Sequence, residues 1–106
     1  MLENSAQIVD ALRIRLAVNS DSAVAAALGI THGAISHWRA GRFAMSPELA
    51  VKAAELLGVE PGPLILVCLA ETERQPTLAA LYRQLADRLG KGARRGRKAA
   101  AALVAL

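Results

Sequence analysis

Aromatic residues and cysteines are scarce in this sequence. Phenyl and indole rings occur only at Trp38, Phe43 and Tyr82, so alanine, leucine and valine supply most of the 54% apolar content. Such side chains suit close packing between helices. Cys68 is the single cysteine, which excludes an internal disulfide and a cysteine-based zinc site, and its apolar run PLILVCLA predicts a buried free thiol. The composition predicts an all-α protein.

Long apolar segments are also missing. The start MLENSAQIVD has neither the basic residues nor the apolar core of a signal peptide. The longest apolar stretches, residues 61–70 and 99–106, are much shorter than the ~20 residues that span a bilayer. At 106 residues the chain suffices for one domain with a modest core. We therefore expect a cytoplasmic protein without a membrane partner.

Positive charge is concentrated near the C-terminus. Residues 1–90 contain 8 Lys and Arg against 9 Asp and Glu, whereas KGARRGRK at 91–98 adds 5 basic residues and no acid. The net charge of +4 therefore belongs to this segment. Its basic residues are Lys91, Arg94, Arg95, Arg97 and Lys98. They predict either a nonspecific DNA-binding arm or a solubilising tail.

Capping residues and glycines predict six helices before this tail. The first runs from Asn4 or Ser5 to about Val18, the second from Ser20 to Gly29, the third from Thr31 to Ala40 and the fourth from Pro47 to Leu57, while the fifth and sixth lie within residues 59–74 and 75–90. The sixth is amphipathic, with one face formed by Leu78, Leu81, Tyr82, Leu85 and Leu89. We expect Gly90 to open the tail, whose glycines and charges argue against stable structure in isolation.

The apolar run at 64–69 allows two structures. Six consecutive apolar residues can form a buried strand or a helix that is apolar all round. Two prolines just before the run and the continuation AETER favour a helix. A strand that pairs two copies of the chain is the alternative.

Residues 24–41 meet the physical requirements of a helix-turn-helix. Ala25 is small enough for the following helix to cross at a steep angle, and Gly29 can adopt the left-handed backbone of a sharp turn. Apolar residues that hold the helices together follow at Val24, Leu28, Ile30, Ile35 and Trp38. We interpret Trp38 as structural, because an indole on the inward face of a short helix buries a large area.

This arrangement resembles the helix-turn-helix of the Cro/cI family, also called the XRE family. The matching residues are Ala25, Gly29, Ile30, Thr31, Ile35, Ser36, Trp38 and Gly41. The resemblance covers about residues 5–60 and implies an all-α, five-helix DNA-binding domain over residues 1–60. A helical extension over 61–90, with an amphipathic helix that can mediate dimerisation, and a basic then apolar tail over 91–106 would complete the chain.

The resemblance also implies a DNA-binding surface. In the family, the start of the recognition helix contacts base edges, and the start of the preceding helix and the loop after the recognition helix contact phosphates. By position, the base-facing residues are Thr31, His32, Gly33, Ser36 and His37, and the phosphate-facing residues are Ser22, Arg39 and Arg42. Asp21 departs from the family, because many relatives carry glutamine there and a carboxylate repels phosphate.

The same residues also have structural interpretations. Thr31 is a natural N-cap. His32 and His37 are five residues apart, roughly 140° around a helix, so they are poorly placed to share a metal, and no nearby acid or cysteine completes a site. The short helices offer no loop that could build an oxyanion site. We expect no enzyme activity, metal, cofactor or small-molecule substrate.

These observations predict a sequence-specific, repressor-like transcriptional regulator of prokaryotic or phage type that binds double-stranded DNA. Its hydroxyl and imidazole groups discriminate bases less sharply than a bidentate Arg or Gln, so we expect a homodimer, formed by the leucines of the sixth helix or by residues 64–69. One alternative is an interaction module, such as an antitoxin-like or phage accessory protein with little DNA affinity. The other is a nonspecific nucleic-acid binder that uses the basic tail.

Overall fold

The computed structural model describes residues 2–105, with side chains for residues 2–90. The elements are α1 (Ser5–Leu16), α2 (Asp21–Leu28), α3 (His32–Arg39), α4 (Pro47–Leu57), α5 (Pro61–Thr72) and α6 (Pro76–Ala105). All regular structure in this range is helical. The predicted all-α class is therefore confirmed, and residues 64–69 belong to a helix and not to a strand.

Polar side chains cap the first four helices at their N-termini. The caps are Asn4, Ser20, Thr31 and Ser46, and each side-chain oxygen accepts a hydrogen bond from the backbone N–H three residues later. Such a cap satisfies one of the N–H groups that the first turn leaves without a partner. The first helix ends two residues before the predicted Val18, because Ala17 takes a left-handed conformation with φ of 54°.

The core lies among α1, α2, α3 and α4, and α5 closes it from one side. Its largest fully buried side chains are Ile8, Val9, Leu12, Val24, Leu28 and Ile35. From α5, Leu64 and Cys68 join this core. Cys68 is a free thiol that is 3% exposed, which confirms the predicted buried free thiol, and this burial raises its pKa to about 11.

A buried serine connects three parts of the fold. Ser5 Oγ accepts a hydrogen bond from Met45 N at 2.8 Å and donates one to Glu71 Oε1 at 2.8 Å. Ser5 N donates to the same carboxylate oxygen at 2.6 Å. Glu71 of α5 thereby accepts a backbone N–H at the start of α1. Ser5 in turn accepts the backbone N–H of Met45, which lies between α3 and α4. These bonds attach the C-terminal extension to the first four helices.

The sixth helix continues beyond its predicted end. We expected Gly90 to open the tail, but α6 extends from Pro76 to Ala105. A glycine inside a helix costs about 1 kcal/mol relative to alanine, which neighbouring residues can offset. A glycine ends a helix when it adopts the left-handed conformation. The alanines after Gly90 favour continuation. The side chains of the predicted arm, namely Lys91, Arg94, Arg95, Arg97 and Lys98, lie outside the described residues.

Candidate nucleic-acid interface

The turn between α2 and α3 has the predicted construction. Gly29 adopts φ of 72°, and the next residue, Ile30, donates its N–H to Ala25 O at 2.9 Å. Ala25 is buried beside this turn. A left-handed glycine with a hydrogen bond back to the preceding turn is a standard helix ending, and here it sets the direction in which α3 leaves α2.

The two sides of α3 differ in exposure. Ile35 is fully buried and Trp38 is 5% exposed, which confirms the structural role of the indole. The predicted base-facing residues, Thr31, His32, Gly33, Ser36 and His37, are all exposed. Because Ile35 and Trp38 share one face of the helix, their burial turns Gly33, Ser36 and His37 outward, and His32 is exposed in the first turn.

Local hydrogen bonds hold two of these polar groups. Thr31 Oγ1 accepts a hydrogen bond from Ala34 N at 3.3 Å, which confirms the N-cap. Ser36 Oγ donates to His32 O at 3.4 Å, one turn earlier in α3. The Ser36 hydroxyl would have to exchange or share this weak bond in order to donate to a base.

Arg39 forms two ion pairs. Its Nε lies 2.7 Å from Asp21 Oδ2, and its Nη2 lies 2.9 Å from Asp21 Oδ1 and 2.8 Å from Asp10 Oδ1. The hydrogen bonds from Arg39 hold the pKa of the Asp21 carboxyl below its ordinary value, and these acids raise the pKa of the guanidinium. The cluster ties the end of α3 to α1 and to the start of α2. It also explains the departure at Asp21, whose carboxylate has a partner within the fold.

The other two predicted phosphate residues lie at exposed helix ends. Ser22 is in the first turn of α2 and is exposed. Arg42 follows Gly41, whose φ of 74° ends α3, and Arg42 N donates to His37 O at 3.0 Å. The backbone thus holds Arg42 next to the last turn of α3.

Phe43 also lies on this surface, although no sequence pattern predicted it. Its ring is 60% exposed, and the ring centroids of Phe43 and His37 lie 5.3 Å apart with their planes at 75°. A signal was available, since the sequence places this phenylalanine two residues after the glycine that ends α3. Side-chain periodicity could not reveal the contact, because Phe43 lies outside any helix.

The helix-turn-helix geometry agrees with the comparison to known proteins. A family model described as helix-turn-helix matches residues 11–64, half of the chain. The chain therefore belongs to the Cro/cI (XRE) family of helix-turn-helix DNA-binding proteins. Neither a curated protein nor a solved structure gave a significant match.

As a member of this family, the chain is a DNA-binding transcription regulator. The family's domain is a regulatory domain and is generally non-enzymatic.

Among the described residues, no three His, Cys, Asp or Glu side chains come together as a metal site would require. In the same part of the chain, no helix is long and apolar enough to cross a membrane.

Proposed function

We propose that this protein is a sequence-specific, repressor-like regulator that inserts α3 into the major groove of double-stranded DNA. The observation that carries the proposal is the outward face of α3, where His32, Gly33, Ser36 and His37 are exposed while Ile35 and Trp38 anchor the opposite face. Imidazole and hydroxyl groups can donate and accept hydrogen bonds at base edges. Thr31 lies at the edge of this face.

Gly33 supports a close approach of α3 to DNA. Glycine inside a helix costs stability, yet the fold does not require it here, since an added Cβ would meet only Thr31 Oγ1 at 3.8 Å, an ordinary contact. A missing side chain near the start of α3 lets the helix backbone lie deeper in the groove.

Phosphate contacts would fix the register of α3 on the duplex. Ser22 and Arg42 are exposed at the two ends of the motif, and Arg42 is the cation best placed for a phosphate. Arg39 remains a candidate, but a phosphate would compete with Asp10 and Asp21 for its guanidinium. We therefore assign Arg39 first to holding α3 in place.

We further propose that two copies act together through α6. Leu78 and Tyr82 are half-buried, whereas Leu81 and Leu89 are 46% and 49% exposed. An exposed leucine stripe on an amphipathic helix is the usual seam of a helix pair. Within the alternative segment 64–69, Leu64, Val67 and Cys68 are buried in the fold, so this segment is not proposed as the interface.

The deciding experiment is recovery and sequencing of genomic DNA fragments bound by the full-length protein, followed by binding measurements on an enriched fragment and on random DNA. We expect enrichment of a few sequences, binding to them about a thousandfold tighter than to random DNA, and loss of this preference when Gly33 is replaced by a bulky residue. Equal binding to all sequences would contradict the proposal.

A second candidate function is a protein-interaction module with little DNA affinity. The near-neutral charge of residues 1–90 and the ion pairs of Arg39 favour it, because both weaken attraction to phosphate. No DNA binding at low salt would support this candidate. A third possibility, nonspecific binding by the arm, predicts that replacing Arg94, Arg95 and Arg97 by glutamine abolishes binding to every DNA sequence.

A further inference from the structure

Phe43 is the one exposed aromatic ring beside the base-facing residues in the described part of the chain. Several apolar side chains of this protein are exposed, but Phe43 also has an aromatic partner. The ring meets His37 at 75°, the edge-to-face geometry in which the positive edge of one ring meets the negative face of the other.

The backbone defines this contact. Gly41 N donates to Trp38 O at 3.1 Å, and Arg42 N donates to His37 O at 3.0 Å. With the left-handed Gly41, these bonds form the Schellman motif that ends many helices. The motif folds the chain back over the last turn of α3 and brings residue 43 beside residue 37.

We propose that Phe43 is a positioning residue for base recognition, which holds the His37 imidazole in the orientation that faces a base edge. The inference rests on the proposed function, since it concerns one of the base-facing residues. An exposed side chain loses rotamer freedom when it binds. A ring that is already oriented loses less, and its hydrogen bonds then point in one direction.

Phe43 also borders an apolar groove of about 280 Å³ that includes Leu69 and Thr72 of α5. A protein partner in this groove is the competing explanation for the exposed ring. The ring contact with His37 favours the DNA interpretation, because it couples Phe43 to α3, whereas Leu69 and Thr72 belong to α5.

The test is selection of binding sites from randomised double-stranded DNA by the full-length protein. We expect His37→Ala to lose about fivefold preference at one base position, and Phe43→Ala to lose most of that preference at the same position. The double variant should be no worse than His37→Ala, because the two residues act as one unit. Phe43→Tyr keeps the ring and should retain the preference.

Two further variants make the result decisive. Phe43→Leu keeps an apolar side chain without the ring, so it should fold normally and still lose the preference. Leu69→Ala is the matched control, since Leu69 lines the same groove and is 40% exposed, and it should leave base preference unchanged.

Three outcomes would overturn the inference while leaving the proposed function intact. They are full preference in Phe43→Leu and Phe43→Ala, a loss at a different base position from that of His37→Ala, and no change of base preference in His37→Ala. Loss of self-association in Phe43→Ala with unchanged preference would assign the ring to a protein interface. If the unmodified protein enriches no sequence, the proposed function itself is wrong and the inference fails with it.

Discussion

The helix-turn-helix, residues 20–41, and the α5–α6 extension reach stability in different ways. In the first, Ser20 and Thr31 cap both helices and Ile35 and Trp38 fill the interior. In the second, α5 starts without a side-chain cap, and α6 leaves Leu81 and Leu89 half exposed. The helix-turn-helix thus satisfies its caps and its large apolar side chains within the fold, whereas the extension leaves part of its apolar surface exposed.

The largest loss of stability in the helix-turn-helix is expected from Trp38→Ala. Loss of this buried indole leaves a cavity between α3 and the core, and we expect the free energy of unfolding to fall by about 3–5 kcal/mol. Urea denaturation followed by circular dichroism measures this change. Phe43→Ala is the control, because a mostly exposed ring should cost less than about 1 kcal/mol; equal losses would show that the two aromatics are not distinguished by burial.

The extension is joined to the rest of the fold through Ser5 of α1, which bonds to Glu71 of α5 and to Met45 before α4. Ser5→Ala removes the acceptor of Met45 N and one of the two donors to Glu71 Oε1, which leaves the buried Met45 N–H without a partner. We expect a loss of about 1–3 kcal/mol in the free energy of unfolding. The exposed Ser36→Ala should change it by no more than about 0.5 kcal/mol, and a similar loss in both variants would argue against the role of the buried network.

The ion pairs of Arg39 can be tested through Asp21→Asn. Since the pKa of Asp21 is lowered in the fold, its contribution to stability is present above the ordinary carboxyl value of 3.8 and disappears as the pH falls through the folded-state pKa. We expect the variant to lose about 1 kcal/mol or less near neutral pH and to approach the unmodified protein in acid. Thermal unfolding across pH measures this difference.

The same substitution should affect DNA binding in the opposite direction. Asp21→Asn removes a carboxylate from the start of α2 and weakens the hold on Arg39, so we expect affinity for DNA to rise severalfold at low salt. Glu55→Gln, at an exposed position on α4, is the matched control for loss of one negative charge. Equal gains in both variants would indicate a general charge effect.

The smallest effect on folding should come from the extension's exposed face. Leu85→Asp places a charge on the open side of α6, where the leucine is 37% exposed, and should change the stability of the monomer by less than about 1 kcal/mol. We expect the same variant to shift a dimer to monomer in sedimentation equilibrium. A dimer that persists would locate the interface elsewhere.

The sequence predicted most of the helix boundaries, because the signals there are local. A cap such as Ser46 followed by Pro47, and a glycine such as Gly58 that turns left-handed, act within a few residues. The end of α6 was not predictable in this way, because Gly90 lies inside the helix and nothing local distinguishes it from the glycines that end other helices.

The site was predictable as a set of exposed positions but not as a set of contacts. The resemblance to the Cro/cI family placed His32 and His37 on the outward surface of α3, and both are exposed. The partners of Arg39 could not be found in this way, since Asp10 and Asp21 are 29 and 18 residues away in sequence. The position of Phe43 likewise depends on how the chain folds back after Gly41.

The sequence by itself determined an all-α helix-turn-helix: caps, turn glycines and apolar spacing act over a few residues and require no knowledge of distant neighbours. Tertiary structure alone decided three other features. It paired Arg39 with two carboxylates, joined Ser5 to Glu71 across 66 residues, and left part of the α6 leucine stripe uncovered. These depend on which surfaces of separate helices meet, and packing decides that only when all the helices are in place.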